Sequence, residues 1–280
     1  MTGKIRTDLA VEQHENLGSG ELQGVRADAY ETRGYEIERV DILDERGAES
    51  LCKPIGSYLT ISARALTERR QDSFQNGAET LAGLIRSLLP QPGGLTLVAG
   101  LGNASMTPDA IGPLAAEYIL ATRHLKSAMP EDFAGLSPVC CLRPGVLGST
   151  GIESAEILKS VCERVQPAQV IAMDALAAAS LERLCTTVQL TDAGIVPGSG
   201  VGNNRAALTS ETLGVPVLAL GVPTVVDLAA FTDEDSAKGM FVTPRDIDDS
   251  VHSLSKLLGY AVNLALHDGM TIADIDLLKG

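Results

Sequence analysis

Short apolar runs alternate along most of the chain with stretches whose apolar residues recur every three or four positions, and this alternation predicts strands and helices in turn. Residues 35–43 alternate as a strand does, 58–61 reads as another strand, and a helical pattern follows over 63–89. Beyond them the pattern predicts a strand over 95–101, a helix over 108–125, a strand over 139–142, a helix over 154–165, strands over 169–173 and 215–220, and a closing helix. Strands separated by helices are built into βαβ units. The expected fold is therefore α/β: a single domain with a mixed, mostly parallel sheet, covered by helices on both faces. The first 29 residues show glycines without a period and read as irregular. In the closing helix, Ile247, Val251, Leu254 and Leu258 form one stripe, while Asp246, Asp248 and Asp249 load the first turn, where negative charge suits the helix dipole. That helix reads as structural. His252 beside the stripe and His267 near its end read as surface or packing residues.

Composition narrows the class. With 280 residues, 45% of them hydrophobic, the chain can bury a sizeable core, and its length suits one large α/β domain. Aromatic residues make up 3% and tryptophan is absent, so the core must be built from Ala, Val, Leu and Ile, and base-stacking platforms are lacking. A formal charge of −14 opposes a phosphate backbone, which argues against nucleic acid as a direct ligand. Cys52, Cys140, Cys141, Cys162 and Cys185 are odd in number and lack CxxC spacing, as expected of free, buried thiols in a reducing cytoplasm. No stretch has signal-peptide or membrane-span character, so a soluble intracellular protein without membrane contact is expected.

Two acids stand out. Asp109, after Thr107-Pro108, and Asp174, between Met173 and Ala175, each follow an apolar run that reads as a buried strand, so each is expected at a strand's carboxyl end. Open α/β sheets place ligands and chemistry there, because helices cover both faces and only the crevice beyond the strand ends is concave and reachable. Asp109 could instead serve the first turn of a helix. Asp174 is harder to explain that way, since an ionised carboxylate in an apolar stretch is costly unless paired. Two converging acids suit general acid and base work. The zinc signature HExxH, the P-loop and the nucleophile elbow are all missing. A glycine cluster from Gly194 to Asn203 could cradle an anion or shape a substrate groove, but Asn203 stands where a dinucleotide-binding loop needs its third glycine. A small-molecule hydrolase or phosphorylase using that loop, or a catalytically idle binding protein, are the readings from other classes.

Four ordered motifs carry a resemblance: Arg6-Thr7-Asp8-Leu9-Ala10-Val11-Glu12; Gly100-Leu101-Gly102-Asn103 with Thr107-Pro108-Asp109-Ala110; Asp174-Ala175-Leu176-Ala177-Ala178; and Gly194 through Asn203. Over nearly its whole length the chain resembles the spore germination proteases, endopeptidases that degrade small acid-soluble spore proteins. The resemblance implies a fold similar to that of hydrogenase maturation proteases, an essential aspartate pair falling on Asp109 and Asp174, and a tetramer in the spore core. It also implies a zymogen cut between Asp8 and Leu9, leaving a propeptide of residues 1–8 and a peptidase domain of 9–280. The cut matches a pattern of acid, bulky apolar, Ala, any residue, Glu. Gly102, Asn103, Gly198, Ser199, Gly200, Asn203 and Arg205 are the expected groove or loop residues. No cofactor or resident metal is expected, although a metal bridging the two acids would compete if they lay far apart. Arg143 or Arg205 is the expected partner for an acidic recognition residue, while Asp8 and Glu12 would be solvated if no processing occurred.

Overall fold

In the computed structural model, residues 7–18, 22–64, 72–91, 93–203, 205–232, 235–237 and 239–279 are described, and they share one nine-stranded sheet. The strands are β1 (Val25–Thr32), β2 (Tyr35–Ile42), β3 (Gly56–Ser62), β4 (Thr96–Gly100), β5 (Val139–Leu142), β6 (Gln169–Ala178), β7 (Thr187–Thr191), β8 (Val217–Asp227) and β9 (Phe241–Val242). The helices are α1 (Ala10–Asn16), α2 (Glu45–Leu51), α3 (Ser73–Leu88), α4 (Ile111–Glu117), α5 (Arg123–Ala128), α6 (Leu147–Thr150), α7 (Ser154–Val165), α8 (Ser210–Leu213), α9 (Ile247–Leu266) and α10 (Ile272–Lys279). Strand order is β1-β2-β3-β7-β8-β6-β4-β5, with β9 on β8. The sheet is mixed, as expected, but only β5, β4, β6 and β8 run parallel; β7, β3, β2 and β1 continue from β8 as an antiparallel arm, so parallel pairings are not the majority.

The central strands read as unbroken apolar runs because both of their faces are covered. Val98, Ile171, Met173 and Leu220 face a layer containing α3, α4 and α9, where Leu81, Ile85, Ile111, Leu254 and Leu258 complete the core. Their neighbours Leu97, Ala99, Val170 and Ala172 face the other layer and meet Leu158, Cys162 and Leu213 of α7 and α8. The stripe of Val251, Leu254 and Leu258 is buried as its spacing predicts. Among the described residues no helix is long and apolar enough to cross a membrane.

Several expectations are corrected. The N-terminal region expected to be irregular contains α1 and β1. Within the expected helix 63–89, Arg64 and Ser73–Leu88 are helical, Ala63 and Asp72 are not, and residues 65–71 lie outside the described residues. The expected helix 108–125 is a 3-10 turn at Thr107–Asp109, then α4, then a break before α5; Asn263 of α9 fills the break, accepting from the Leu120 N–H and donating to the Tyr118 carbonyl. Strands β6 and β8 run well beyond the predicted limits of 173 and 220. Cys52 is exposed rather than buried, and no disulfide joins the five thiols. The two histidines are placed as expected, His252 at the surface and His267 packed in the interior, fully buried, where its ring nitrogens have no hydrogen-bond partner among the described residues.

Candidate active site

The long strands β6 and β8 create the site. β4 ends at Gly100, paired with Met173, so Asp174 through Ala178 project beyond it together with the facing length of β8. Asp174 is therefore inside a strand rather than after one; it stands at the end of the sheet only relative to β4. Its side chain shares the face of Val170 and Ala172, and it is 4% exposed. Between Leu176 and Ala177 the register slips by one residue, which leaves Thr224 of β8 as the extra residue of a bulge. Thr224 Oγ1 donates to the Pro108 carbonyl at 2.6 Å and ties the turn that carries Asp109 onto the overhang.

Asp109 ends that 3-10 turn, so the alternative of service to a helix's first turn is partly realised. Its geometry does more. The Asn103 N–H donates to the Asp109 carbonyl at 3.0 Å and to Oδ2 at 2.9 Å, and the Asn103 side chain accepts from the Ser105 N–H at 3.0 Å, so a tight loop aims the carboxylate. Gly102 makes the loop possible: its φ is +108°, and a methyl there would overlap the Asp109 carbonyl.

Asp109, Asp174 and Asp8 line a single cleft of about 630 Å³, and Gly102, Asn103, Gly198, Gly200, Asn203 and Arg205 line it with them. Ser199 and Asp8 face an adjoining hollow of about 170 Å³. Leu9 is not in the cleft; it is buried with Leu176, Ala178 and Val226. Burial pushes Asp174 well above the ordinary carboxylate value of 3.8, and the charge of Asp109 adds to the effect. Burial also raises Asp109, against the pull of the Asn103 N–H. Of the two, Asp109 has the more favourable setting for a charge, being half-buried and accepting from the Asn103 N–H, while Asp174 is 4% exposed and, among the described residues, accepts only from the N–H of the adjacent Ala175.

The first motif is built into the molecule rather than solvated. Both oxygens of Glu12, which is 3% exposed, accept backbone N–H groups, from Ser180 at 2.9 Å and Ala179 at 2.7 Å, and Thr7 Oγ1 donates to it as well. Asp8 is half-buried; its carboxylate accepts from Ser199 and from the Ala177 N–H. The arginines expected to hold the acidic recognition residue are not the partners of Asp8: Arg143 pairs with Glu117 at 2.7 Å and Arg205 with Glu153 at 3.7 Å. Nor is the glycine loop a ready anion cradle, since the N–H groups of Ser199, Val201, Gly202 and Asn203 bond to carbonyls within the loop. Sequence reasoning missed Thr224, Ala177 and Gln189. The first two lie in largely apolar strand text, where Gly221 and Pro223 were the visible signal of a bulge beside Thr224 and nothing singled out Ala177; Gln189 in a run of alternating Thr and apolar residues was a second visible signal, a polar residue in β7.

An open α/β sheet with two carboxylates in a largely apolar cleft beyond its strand ends is an arrangement suited to an enzyme. Residues 5–237 match the sequence model of peptidase family A25, germination protease. A germination protease of Caldanaerobacter subterraneus subsp. tengcongensis is 41% identical, covering 98% of this chain and 98% of its own. One from Clostridium perfringens is 38% identical, covering 97% of this chain and 98% of its own, and one from Bacillus cereus is 44% identical, covering 82% of this chain and 65% of its own. Among solved structures, the nickel–iron hydrogenase maturation protease HycI from Thermococcus kodakarensis KOD1 superposes with a TM-score of 0.39 at 18% identity, covering 64% of this chain and 98% of that one. The chain belongs to the germination protease family. It is an endopeptidase of spore germination.

Proposed function

We propose that this endopeptidase works through Asp109 and Asp174, that it cuts its own chain between Asp8 and Leu9, and that its substrates in trans are small acid-soluble spore proteins. The observation that carries this reading is the convergence, on one cleft, of two carboxylates that both resist ionisation, beside the residue that precedes the expected cut. Two such acids share one proton, and it resides first on Asp174, the more buried. Asp109, the more readily ionised, takes a proton from the attacking water. Asp174 donates its proton to the carbonyl oxygen, giving a gem-diol; as the C–N bond breaks, Asp109 passes the proton it took from water to the leaving amine, and Asp174 recovers a proton from a hydroxyl of the diol. Each hydrolysis returns the pair to its starting state, with one proton between two acids.

The rest of the reading concerns the whole protein. The propeptide is residues 1–8 and the peptidase domain begins at Leu9; residues 1–6 lie outside the described residues. The enzyme acts in the spore core, needs no cofactor, and assembles as a tetramer; exposed apolar side chains such as Leu277 and Leu278 on α10 are surface available for self-association. Its charge of −14 suits a protease that takes the proteins and leaves the DNA they coat.

Intact-mass spectrometry of the purified wild type and Asp174→Asn, alone and with a small acid-soluble spore protein, tests the mechanism. The wild type is expected to lose residues 1–8 and to cut the substrate after an acid. Asp174→Asn is expected to do neither at a measurable rate, a loss on the order of 100-fold or more. Equal cutting by both proteins would refute the aspartate mechanism. Light scattering on the same samples reads the tetramer.

A further inference from the structure

The bond proposed for processing is already seated in the molecule, and the way it is seated bears on which substrates the enzyme accepts. Both carboxylate oxygens of Asp8 are held: Ser199 Oγ donates to Oδ1 at 2.6 Å, and the Ala177 N–H donates to Oδ2 at 2.9 Å. The Asp8 N–H donates to the Ala177 carbonyl at 2.9 Å, so residue 8 lies against β6 and is fixed by both its backbone and its side chain. Gly200 closes the seat, because a methyl at its Cα would overlap the Asp8 carboxylate and come within 2.5 Å of the Ala177 methyl.

Gln189 registers the bond itself. Its Nε2 donates to the Asp8 carbonyl at 3.0 Å, and its Oε1 accepts from the Ala10 N–H at 2.7 Å, so one side chain spans the Asp8–Leu9 peptide. Gln189 and Asp174 flank Gly221 in a single row across β7, β8 and β6, which puts both on one face of the sheet. Slippage of the peptide by one residue would break the Gln189 contacts and remove the acid from its seat together. The seat and the bond are therefore coupled by geometry.

Neutral donors hold the acid, and the cation whose charge bears on it is Lys53, which donates to the Thr7 carbonyl at 3.2 Å. An asparagine in the seat could offer its carbonyl to Ala177 and turn the Ser199 hydroxyl into an acceptor, so shape alone does not exclude it. Discrimination comes from charge: hydrogen bonds to an ionised carboxylate are about twice as strong as neutral ones.

We infer that Ser199, the Ala177 N–H and the bare Cα of Gly200 form the subsite that selects an acidic residue on the amino side of the scissile bond. The inference rests on the processing reading above, and it gives the enzyme a carboxylate pocket built from a hydroxyl and an amide rather than from an arginine. While Asp8 fills the seat, no acid from another chain can enter it; release of residues 1–8 vacates it.

The test is a double-mutant cycle on processing of the full chain, with the fraction shortened by eight residues followed over time by intact-mass spectrometry. Asp8→Asn and Ser199→Ala are each expected to slow processing about 10-fold, the scale of one lost charge-assisted hydrogen bond. The double variant is expected to be no slower than the slower single, because both changes remove the same contact. Ser199→Thr, which keeps the hydroxyl, restores the rate, and Asp8→Glu retains acid recognition. Effects that multiply in the double variant, or a Ser199→Ala protein that processes at the wild-type rate, overturn the subsite while leaving the aspartate mechanism standing. An Asp174→Asn protein that processes like the wild type overturns the mechanism instead, and a wild type never shortened by eight residues overturns the processing reading and the subsite together. Thermal melts of each variant separate slow processing from poor folding: a Ser199→Ala rate loss that tracks a lowered Tm, and is not rescued by Ser199→Thr, counts against the subsite.

Discussion

At the scale of single residues, the two acids make opposite demands on pH. Catalysis by a shared proton needs one carboxylate charged and the other neutral, so kcat is expected to follow a bell. Its acid limb is set by Asp109, raised above 3.8, and its alkaline limb by Asp174, raised well above that value. Stability obeys a different rule. The folded pKa of Asp174 lies above its unfolded value, so the folded state binds the proton more tightly. The contribution of this group is favourable below about 3.8 and is lost as pH rises through the folded pKa. Asp174→Asn, which cannot ionise, is therefore expected to melt at a higher temperature than the wild type at neutral pH, with the difference closing as pH falls toward 4. Melting curves between pH 3 and 8 check this; an Asp174→Asn protein less stable than the wild type at neutral pH would contradict it.

At the scale of elements, the site depends on strands that outrun their neighbour. β6 and β8 continue past the end of β4, and the bulge at Thr224 lets one hydroxyl reach across to the turn of Asp109. Thr224→Val keeps the shape and removes the donor, leaving the Pro108 carbonyl unpaired. A stability loss of about 1–3 kcal/mol in urea titrations is expected, together with a fall in kcat and little change in KM, because the aim of Asp109 suffers rather than peptide binding. The existence of these strands was legible in their apolar runs, and β5 and α7 matched their predicted limits. The length of β6 was not legible, because Asp174 looks like a terminator in one dimension and is a cleft residue in three. β7 escaped notice for a related reason: Thr187, Gln189 and Thr191 are polar in sequence but buried beneath the N-terminal segment and the arm.

At the scale of the whole molecule, the N-terminal segment belongs to the fold. Leu9 and Val11 pack against Leu176, Ala178, Leu184 and Val226, while Ala10 meets Val40, Ile42, Leu51 and Tyr58 on the antiparallel arm. Glu12 caps the end of β6 through Ala179 and Ser180. A chain starting at Leu9 is therefore expected to fold, whereas one starting at Leu17 exposes two small cores and leaves buried amides unpaired. Removal of Leu9 and Val11 alone forgoes about 1.5–3 kcal/mol for each buried side chain. Thermal melts of the two truncations decide it; equal Tm values would show that the segment is merely laid on the surface.

The amino-acid sequence by itself determined the α/β class, the apolar central strands, the closing helix and the two acids, because each depends on local period or on a residue type that is costly to bury; the motif at residues 8–12 was legible only through the family resemblance. Only the tertiary structure decided that the sheet is half antiparallel, that Asp8 sits on Ser199 and Ala177 instead of on an arginine, and that Gln189 spans the bond beside it. Such contacts join residues more than 160 positions apart. Periodicity records which face a residue turns to its neighbours in sequence, and it carries nothing about which distant backbone N–H will meet a carboxylate once the sheet has closed.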